Sequence, residues 1–577
     1  MGAIFDKILT RRTTSVLLLL GIVLLVLLFT IPYLFPPSNL ASSMSYDYGF
    51  NNRVGLIIVL IGIISFGIIG FCRAGEDIKI FDTKASGILL TDYLFSIFIL
   101  GVFLLVIGIT NGDRLIAYGG ECTYFLPHIE DMVSGKLPYK DFIFYYGPAL
   151  IYIPYWIHCL LPGTSVVFSY LLTLFIFQTI GLYCLYYIVR NFNVDSKYKR
   201  VIFFIVYFAS FPTALGLNYE LLRFVLPFWL LLSLSKTSKG LSFIWYPLSV
   251  IICLAISPEV GLTFLVAVVV YLLLKWVINK DAHYLLLLLS TVLLAVAFMV
   301  IYHDMFSMLT STASGLLNFP FIVSIHLIAF FISLFVLGFY LGVKIRSLND
   351  NVLDSSFIIL SLGLIPACLG RCDPGHVTYF GLFVFILCFV FISSKKKFVW
   401  LPLLIGIVIS IFIQVWNVRA YSGRYINNYL IGRDINIETE VESGELSIFD
   451  FSEEDIAMPL INKGEMIDLY TKLVKENKYA NLYITRMAYS ATPDNINRTV
   501  NDIEMKKPTY LLFGRNWEDI IKPSDYSWVI KNVFYSYSDR IPTRNSNIVY
   551  LPLLEYVKDQ YFVFKIDDNY VLYKKKY

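Results

Sequence analysis

The feature that most constrains this chain is a series of long apolar runs, such as residues 14–34 and 54–72, which fill most of its first 416 residues. A run of about 20 apolar residues forms a helix that spans the hydrocarbon core of a bilayer. Hydrophobic residues make up 57% of the 577 residues and charged residues only 15%, whereas soluble globular chains average roughly 45–50% and about 25%. This composition excludes a soluble enzyme, a disordered protein and a nucleic-acid binder that depends on phosphate neutralisation. It predicts a polytopic membrane protein.

The hydropathy pattern predicts about thirteen membrane crossings in a mostly α-helical fold. A further apolar segment, residues 148–161, has the length of an interfacial or re-entrant piece, so we do not count it as a crossing. The first run lacks a small-residue cleavage site and is expected to stay as a transmembrane helix. The predicted crossings are residues 14–34, 54–72, 86–109, 164–189, 200–217, 221–235, 241–257, 259–277, 284–302, 324–343, 355–370, 377–393 and 398–416.

The distribution of Lys and Arg predicts the orientation of these crossings. With the N-terminus in the cytoplasm, the inner connections carry 19 Lys and Arg residues and the outer connections carry 6. Membrane proteins concentrate positive residues in their cytoplasmic connections. If residues 148–161 crossed, the basic cluster at residues 190–200 would move outside and the bias would be lost. The sequence therefore predicts a multi-pass protein of the cell (inner or cytoplasmic) membrane with a cytoplasmic N-terminus.

The composition changes after residue 416, which divides the chain into a membrane domain (1–416) and a soluble domain (417–577). The second part carries 21 of the 46 basic residues and has no long apolar run. Short strand-like runs and helical periodicity predict an α/β domain. Thirteen crossings from a cytoplasmic start place this domain on the extracytoplasmic side of the membrane. The predicted strands are Thr509–Phe513, Asn547–Leu551, Tyr561–Ile566 and Tyr570–Tyr573.

Several common kinds of active site are missing from the sequence. The eight cysteines show no paired spacing of a zinc or redox site, and the six histidines are scattered. There is no Gly-rich phosphate loop followed by Lys-Ser/Thr, no HExxH and no nucleophile elbow. The sequence therefore predicts no metal site and no nucleic-acid partner.

The first long outer loop, residues 111–147, is the most informative stretch. It joins an acidic Gly-Gly-Glu turn, an amphipathic run and a Gly/Pro/aromatic segment, and we expect interfacial helices that hold a carboxylate at the lipid–water boundary. Glu121, with glycines beside it that allow close approach of a ligand, is the leading candidate; Asp113 and Asp141 are its substitutes. The alternative is that these are solvated loop residues.

Two further outer clusters combine charges of both signs. The segment LGRCDPGH at residues 369–376 holds Arg371, Asp373 and His376 around a Pro-Gly turn, which suits a phosphate group or, alternatively, a helix-capping turn with an Arg–Asp pair. Glu220 and Arg223 lie three residues apart on one helical face, where a local ion pair is the simple explanation. The segment Ser257–Glu259 is a weaker candidate.

The outer loop resembles that of the GT-C class of integral-membrane glycosyltransferases. Bacterial members show an early acidic residue, an amphipathic stretch and a segment G-x-x-P-Y-x-D-F…Y-G-P. This chain has Glu121, then residues 135–142 (GKLPYKDF), then Tyr146-Gly147-Pro148. Residues 369–376 also resemble a late outer-loop motif of bacterial members. The likeness in layout covers roughly residues 86–393, and the family often has Asp or Asp-Glu where this chain has Gly120-Glu121.

The resemblance implies an enzyme that moves a sugar from a polyprenyl-phosphate donor to a hydroxyl of an extracytoplasmic glycan, lipid or protein, usually with inversion. It implies Glu121 as the general base and Glu220 as the second acidic position, while Arg371, His376, Arg223 and Asp373 are expected around the donor phosphate. No cofactor is implied, and a need for a divalent cation stays open. Two alternatives remain: a transporter or flippase for an envelope lipid or glycan, and a glycan polymerase or ligase.

Overall fold

The computed structural model gives a helical bundle joined to a small sheet domain. Among the described residues, nine helices are long and apolar enough to cross a membrane, or ten if the bent pair at residues 374–391 is one span. This agrees with the predicted helical membrane class, while the count of thirteen stays a prediction. The structure describes residues 2–72, 79–81, 90–111, 121–142, 144–212, 217–313, 315, 318–394, 456–460, 469–470, 473, 480, 482, 492–536 and 544–576.

The described helices overlap the predicted runs, but those at the predicted crossings 200–217 and 221–235 have only 14 and 15 residues and are not among the nine long apolar helices. The crossing at 398–416 and the boundary at 416 lie outside the described residues. The described helices are α1 Gly2–Thr30, α2 Met44–Asp47, α3 Asn52–Cys72, α4 Leu90–Asn111, α5 Glu121–Val133, α6 Ala149–Leu160, α7 Val166–Asn191, α8 Ser196–Ala209, α9 Glu220–Leu234, α10 Lys239–Ile256, α11 Pro258–Asn279, α12 Ala282–Ile301, α13 His303–Ala313, α14 Ile325–Arg346, α15 Leu348–Gly363, α16 Ile365–Gly370, α17 Pro374–Phe380, α18 Leu382–Ser394, α19 Pro493–Lys506 and α20 Leu551–Gln560.

Successive long helices run in opposite directions, so their connections collect at two ends of the bundle. At the end we call lower, Asn193 donates its backbone N–H to the carbonyl of Ile80, and Phe81 stacks on Phe192. The buried Lys344 forms an ion pair with Asp354 there, at 2.8 Å. The opposite, upper end holds the connections at residues 35–51, 134–148, 217–219, 257, 318–324 and 371–373.

The short apolar segment 148–161 is helix α6, which has 12 residues and is about 18 Å long at 1.5 Å per residue. It does not carry the chain to the other end, because α4 and α7 on either side of it are antiparallel neighbours. Tyr93 near the start of α4 donates to the carbonyl of Thr179 in the second half of α7, and Gly108 near the end of α4 lies beside Leu171. Helices α5 and α6 therefore both belong to the upper connection, as predicted.

Glycines allow α3 and α14 to pack with their backbones in contact. A Cβ at Gly342 would lie 1.9 Å from the carbonyl oxygen of Gly67, and one at Gly70 would lie 2.0 Å from that of Phe339. In lipid, where apolar surface gives little drive for association, such close van der Waals contact stabilises helix pairs. The contact fixes the position of the upper connection that precedes α3 relative to the one that precedes α14.

The C-terminal part forms a four-stranded sheet in the order β1-β2-β4-β3. The strands are β1 Ile456–Ala457, β2 Tyr510–Gly514, β3 Tyr561–Ile566 and β4 Tyr570–Lys575. Only the β1–β2 pair is parallel. Three of the four predicted strands are confirmed, but the prediction for 547–551 is wrong: Ser546–Tyr550 is a 3-10 helix that leads into α20. Pro552 in the first turn of α20 favours a helix start over a strand.

The sheet domain contacts the upper end of the bundle. The hydroxyl of Tyr470 donates to Asp131 of α5 at 2.8 Å, and Lys136 lies within 3.2 Å of the same carboxylate. The backbone N–H and the hydroxyl of Ser546 both bond the buried carboxylate of Asp47. These parts of the domain therefore contact the same end of the bundle as the outer loop.

Candidate functional site

A buried guanidinium group at the upper end binds two carboxylates. Arg223, in the first turn of α9, lies 3.3 Å from Glu220 on the same helix and 2.8 Å from Glu259 in the first turn of α11. The hydroxyl of Ser257 donates to Glu259 at 2.7 Å. Arg223 and Glu220 are each 6% exposed. We call these four residues the Arg223 cluster.

The segment Tyr146–Pro148 of the outer loop covers this cluster. The guanidinium carbon of Arg223 lies 4.6 Å from the centre of the Tyr146 ring, a distance typical of a cation–π contact. Tyr139 fixes the segment from the other side by donating its hydroxyl to the carbonyl of Tyr146 at 2.6 Å. Residue 147 must be glycine here, since a Cβ would lie 2.2 Å from the carbonyl oxygen of Ala255.

The Arg223 cluster contains one ion pair that the sequence predicts and one ion pair that it does not. The i,i+3 pair of Glu220 and Arg223 is confirmed. Glu259 belongs to the segment Ser257–Glu259, which the sequence marks only as a weaker candidate, yet its carboxylate is the nearer partner of Arg223. The sequence signal is Ser257-Pro258-Glu259 itself, because Pro fixes the first turn of α11 and so directs Glu259 towards the end of the neighbouring helix.

The turn between α16 and α17 forms a second cluster. Asp373 caps α17 by accepting the backbone N–H of His376 on one carboxylate oxygen. Its other oxygen lies 2.9 Å from Nδ1 of His376 and 3.1 Å from Nε of Arg371. The capping alternative is thus correct, and the turn also brings the three predicted polar side chains together. We call these residues the Asp373 cluster.

The electrostatics of the Asp373 cluster favour an ionised carboxylate. Burial raises the pKa of Asp373, but the charges and hydrogen bonds of His376 and the charge of Arg371 outweigh burial and hold the pKa of Asp373 well below its ordinary range. The carboxylate in turn keeps Nδ1 of His376 as a donor. The Arg371 side chain is 43% exposed, so its outer N–H groups can reach a ligand.

The two clusters are on neighbouring helices and are joined by aromatic contacts. Phe224 follows Arg223 in α9, and its ring lies 4.6 Å from that of Phe380 in α17. His376 stacks on Phe380 at 6.1 Å, one turn earlier in α17. Within the described part of the chain, Arg223 forms no ion pair with Asp373, the partner of Arg371.

The predicted base, Glu121, is the first residue of α5, but its side chain and all of Asp113 lie outside the described residues. Asp141 accepts the backbone N–H of Leu137 at 2.8 Å. This bond closes the turn in which Tyr139 has a positive φ of 69°, so Asp141 has a structural task in the loop.

The described residues contain no group of three or more His, Cys, Asp or Glu side chains placed to hold a metal ion. The two clusters instead combine guanidinium groups with carboxylates. Such an arrangement can hold an anion at Arg371.

Comparisons with known proteins add no relative to this description. No protein-family model matches the chain, and no curated protein matches it.

Proposed function

We propose that this protein is a membrane glycosyltransferase of the GT-C type, which moves a sugar from a polyprenyl-phosphate donor to a hydroxyl of an extracytoplasmic glycan, lipid or protein. The observation that supports the proposal is the position of both charged clusters at one end of an apolar bundle. Arg223 and Asp373 lie on packed helices there, with the motif segment Tyr146–Pro148 directly over Arg223. A site at such a boundary suits a donor that is lipid at one end and phosphate-sugar at the other.

The donor phosphate is assigned to the Asp373 cluster. The Nε of Arg371 lies 3.1 Å from Asp373 in an ion pair, and the two terminal nitrogens of the guanidinium fork are left for phosphate oxygens. His376 adds a second donor through Nε2 only when both of its ring nitrogens carry a proton. Arg223 suits this role less well, because Glu220 and Glu259 already neutralise its charge; we assign it to fixing Glu220.

The reaction is a single displacement at the anomeric carbon. A carboxylate takes the proton of the acceptor hydroxyl while the hydroxyl oxygen forms a bond to the anomeric carbon, and the bond from that carbon to the phosphate oxygen breaks. The lipid phosphate leaves with the electron pair, and Arg371 stabilises its charge. Attack from the opposite face inverts the anomeric configuration. Glu121 is the proposed base, and Glu220, Asp141 and Asp113 are the alternative carboxylates.

The test is transfer by the purified full chain in lipid nanodiscs. Polyprenyl-phosphate sugars carrying a radiolabel are supplied as a panel together with an envelope glycan extract, and labelled product is separated from lipid. We expect transfer from at least one donor, loss of transfer in Glu121→Gln, and a raised KM for donor in Arg371→Ala. Lys239→Ala, which breaks an exposed pair at the lower end, is the control and should transfer normally.

Two results would contradict the proposal. Transfer that proceeds fully in both Glu121→Gln and Arg371→Ala would remove the site from the upper end. Movement of an intact lipid-linked sugar across the bilayer of vesicles, with no release of sugar from any donor of the panel, would support the transporter or flippase alternative instead.

A further inference from the structure

A short segment of the sheet domain is packed into the upper end of the bundle. Val529–Val533 is a π-helical turn, and Tyr526, Ile530 and Phe534 are spaced four residues apart along it, so they share one face. Ile530 and Phe534 are each 1% exposed and belong to the hydrophobic core of the bundle, whereas Trp528 is 62% exposed. The sheet domain therefore inserts the side chain of Phe534 into the bundle.

The ring of Phe534 contacts two residues at the start of α14. Its centre lies 5.9 Å from the ring of Phe319, in the connection that leads to α14, and 5.8 Å from the ring of His326, in the first turn of that helix. His326 is buried. Both contacted residues are bonded in turn to the connection between α16 and α17.

These two residues hold the backbone on either side of Arg371. Phe319 donates its backbone N–H to the carbonyl of Gly370 at 2.9 Å, and Nε2 of His326 lies 3.2 Å from the carbonyl oxygen of Cys372. A carbonyl oxygen only accepts hydrogen bonds, so Nε2 is the protonated nitrogen of His326. The turn that presents Arg371 is thus fixed by the two residues that the sheet domain covers.

Phe319 also contacts the side chain of Arg371. The guanidinium carbon lies 5.4 Å from the centre of the Phe319 ring, a distance at which a cation–π contact stabilises the charge. Asp373 binds Nε of the same guanidinium at 3.1 Å. Phe319 is held in turn by Asn52 of α3, whose amide donates to its carbonyl at 2.8 Å, and by the ring of Phe534. The direction of the guanidinium fork therefore depends on a ring that the sheet domain keeps in place.

We propose that Phe534 is a positioning residue of the donor-phosphate site, which acts through Phe319 and His326 on the turn and the side chain of Arg371. The inference rests on the proposed function for the phosphate at Arg371, and it gives the sheet domain a task in donor binding. Without the Phe534 ring, Phe319 loses a neighbour and directs the guanidinium less well. The affinity for a lipid phosphate should then fall about two- to fivefold, the equivalent of one partly exposed cation–π contact.

The test measures the binding of a lipid phosphate without transfer. The full chain in nanodiscs is titrated with a polyprenyl monophosphate, and bound lipid is followed by native mass spectrometry. We expect the Kd to rise about two- to fivefold in Phe534→Ala and to rise further in Arg371→Ala. Phe534→Leu keeps most of the buried volume and should give a smaller rise; it carries the test if Phe534→Ala lowers the melting temperature.

Three controls separate positioning of Arg371 from docking of the domain. Trp528→Ala changes an exposed ring of the same segment and should leave the Kd unchanged. Tyr470→Phe weakens a different contact of the domain, the hydrogen bond to Asp131, and should also leave it unchanged. The polyprenyl alcohol, which lacks the phosphate, should bind equally to all variants.

A double variant tests the route of the effect. Since Phe534 acts through Arg371, Phe534→Ala should have no further effect on the Kd when it is added to Arg371→Ala. A further rise in the double variant, or a rise in Tyr470→Phe as large as in Phe534→Ala, would overturn the inference, because the ring would then act on the domain as a whole.

The remaining outcomes separate this inference from the proposed function. A Kd that rises in Arg371→Ala but not in Phe534→Ala or Phe534→Leu would overturn the inference and leave the proposed phosphate site in place. The expected pattern of Kd values, in a protein that transfers from no donor of the panel, would uphold the positioning role of Phe534 and refute the glycosyltransferase. An unchanged Kd in Arg371→Ala would overturn both the phosphate assignment and the inference.

Discussion

Removing the charge of Arg223 should destabilise the protein far more than removing a charge from any exposed ion pair. In wild type, the guanidinium lies 3.3 Å from Glu220 and 2.8 Å from Glu259, and both Arg223 and Glu220 are buried. At an effective dielectric constant of about 20, each contact contributes roughly 5–6 kcal/mol of attraction before desolvation is counted. In Arg223→Gln the two carboxylates remain together without a cation. Breaking a buried pair in this way costs about 3–5 kcal/mol.

The carboxylate side of the cluster should be less sensitive. In Glu259→Gln the amide oxygen can still accept a hydrogen bond, Arg223 keeps Glu220 as a partner, and the repulsion between the two carboxylates is gone. The loss is then that of a hydrogen bond to a charged group, about 1.5–3 kcal/mol. Arg223→Lys should lie between these variants, because an ammonium on a single stem cannot bind two carboxylates as a guanidinium fork does.

The assay is thermal unfolding of purified protein in one detergent, followed by intrinsic fluorescence. We expect Arg223→Gln to lower Tm by on the order of 3–4 °C, since the unfolding entropy is about 2.1 cal/mol/K per residue, and Glu259→Gln to lower it by less. Lys239→Gln is the matched control: its pair with Asp281 is shorter, at 2.6 Å, but Lys239 is 70% exposed, so Tm should not change. A Tm that falls as far in Lys239→Gln as in Arg223→Gln would refute the reasoning, because distance rather than burial would then set the cost.

Three further predictions concern the packing, the Asp373 cluster and the domain contact. Gly342→Ala should lower Tm by an amount equivalent to about 1–3 kcal/mol or more, since the new methyl group meets the backbone of α3; Gly240→Ala, with open space around its Cβ, should be neutral or stabilising. Asp373→Asn should lower Tm at pH 7, and because the pKa of Asp373 is lowered in the folded protein, the difference from wild type should shrink as the pH falls through 4 and below; a constant difference would contradict the ion-pair explanation. Tyr470→Phe removes a hydrogen bond to Asp131 and should speed proteolytic release of the C-terminal domain, while Tyr183→Phe, away from the interface, should not.

The long apolar helices could be predicted because lipid imposes one requirement on every residue of a span. A helix buried in hydrocarbon must be apolar for about 20 residues, and the run of such residues gives its bounds to within a few positions, as for α11 and α12. The sequence also argues against a crossing at residues 148–161, because the segment is short and because a crossing there would remove the Lys and Arg bias. Arg223 and Pro227 interrupt the apolar run that predicts helix α9; the structure shows a 15-residue helix buried on nearly every side, so most of its surface meets protein.

The partners of the charged residues could be predicted only where they are close in sequence. Glu220 and Arg223 are three residues apart, and Asp373 and His376 likewise, so helical geometry alone brings them together. Glu259 is 36 residues from Arg223, and its position depends on how α9, α10 and α11 pack. The glycines of α3 and α14 were a missed signal: Gly338 and Gly342 are spaced as in a GxxxG contact, which the hydropathy pattern does not reveal.

The two ends of the bundle differ in what their buried charges can do. At the lower end the ammonium of Lys344 is fully buried and bonds both Asp354 and Asn351, and Asp354 also accepts the backbone N–H of Ile80. These buried groups are directed at other parts of the chain, so they tie the lower connections together. At the upper end Arg371 belongs to a cluster with a buried carboxylate and keeps 43% of its side chain exposed. A charged cluster that is both held by the chain and open to a ligand is therefore found at the end that carries the outer loop and the sheet domain, and the proposed chemistry is assigned there for this reason.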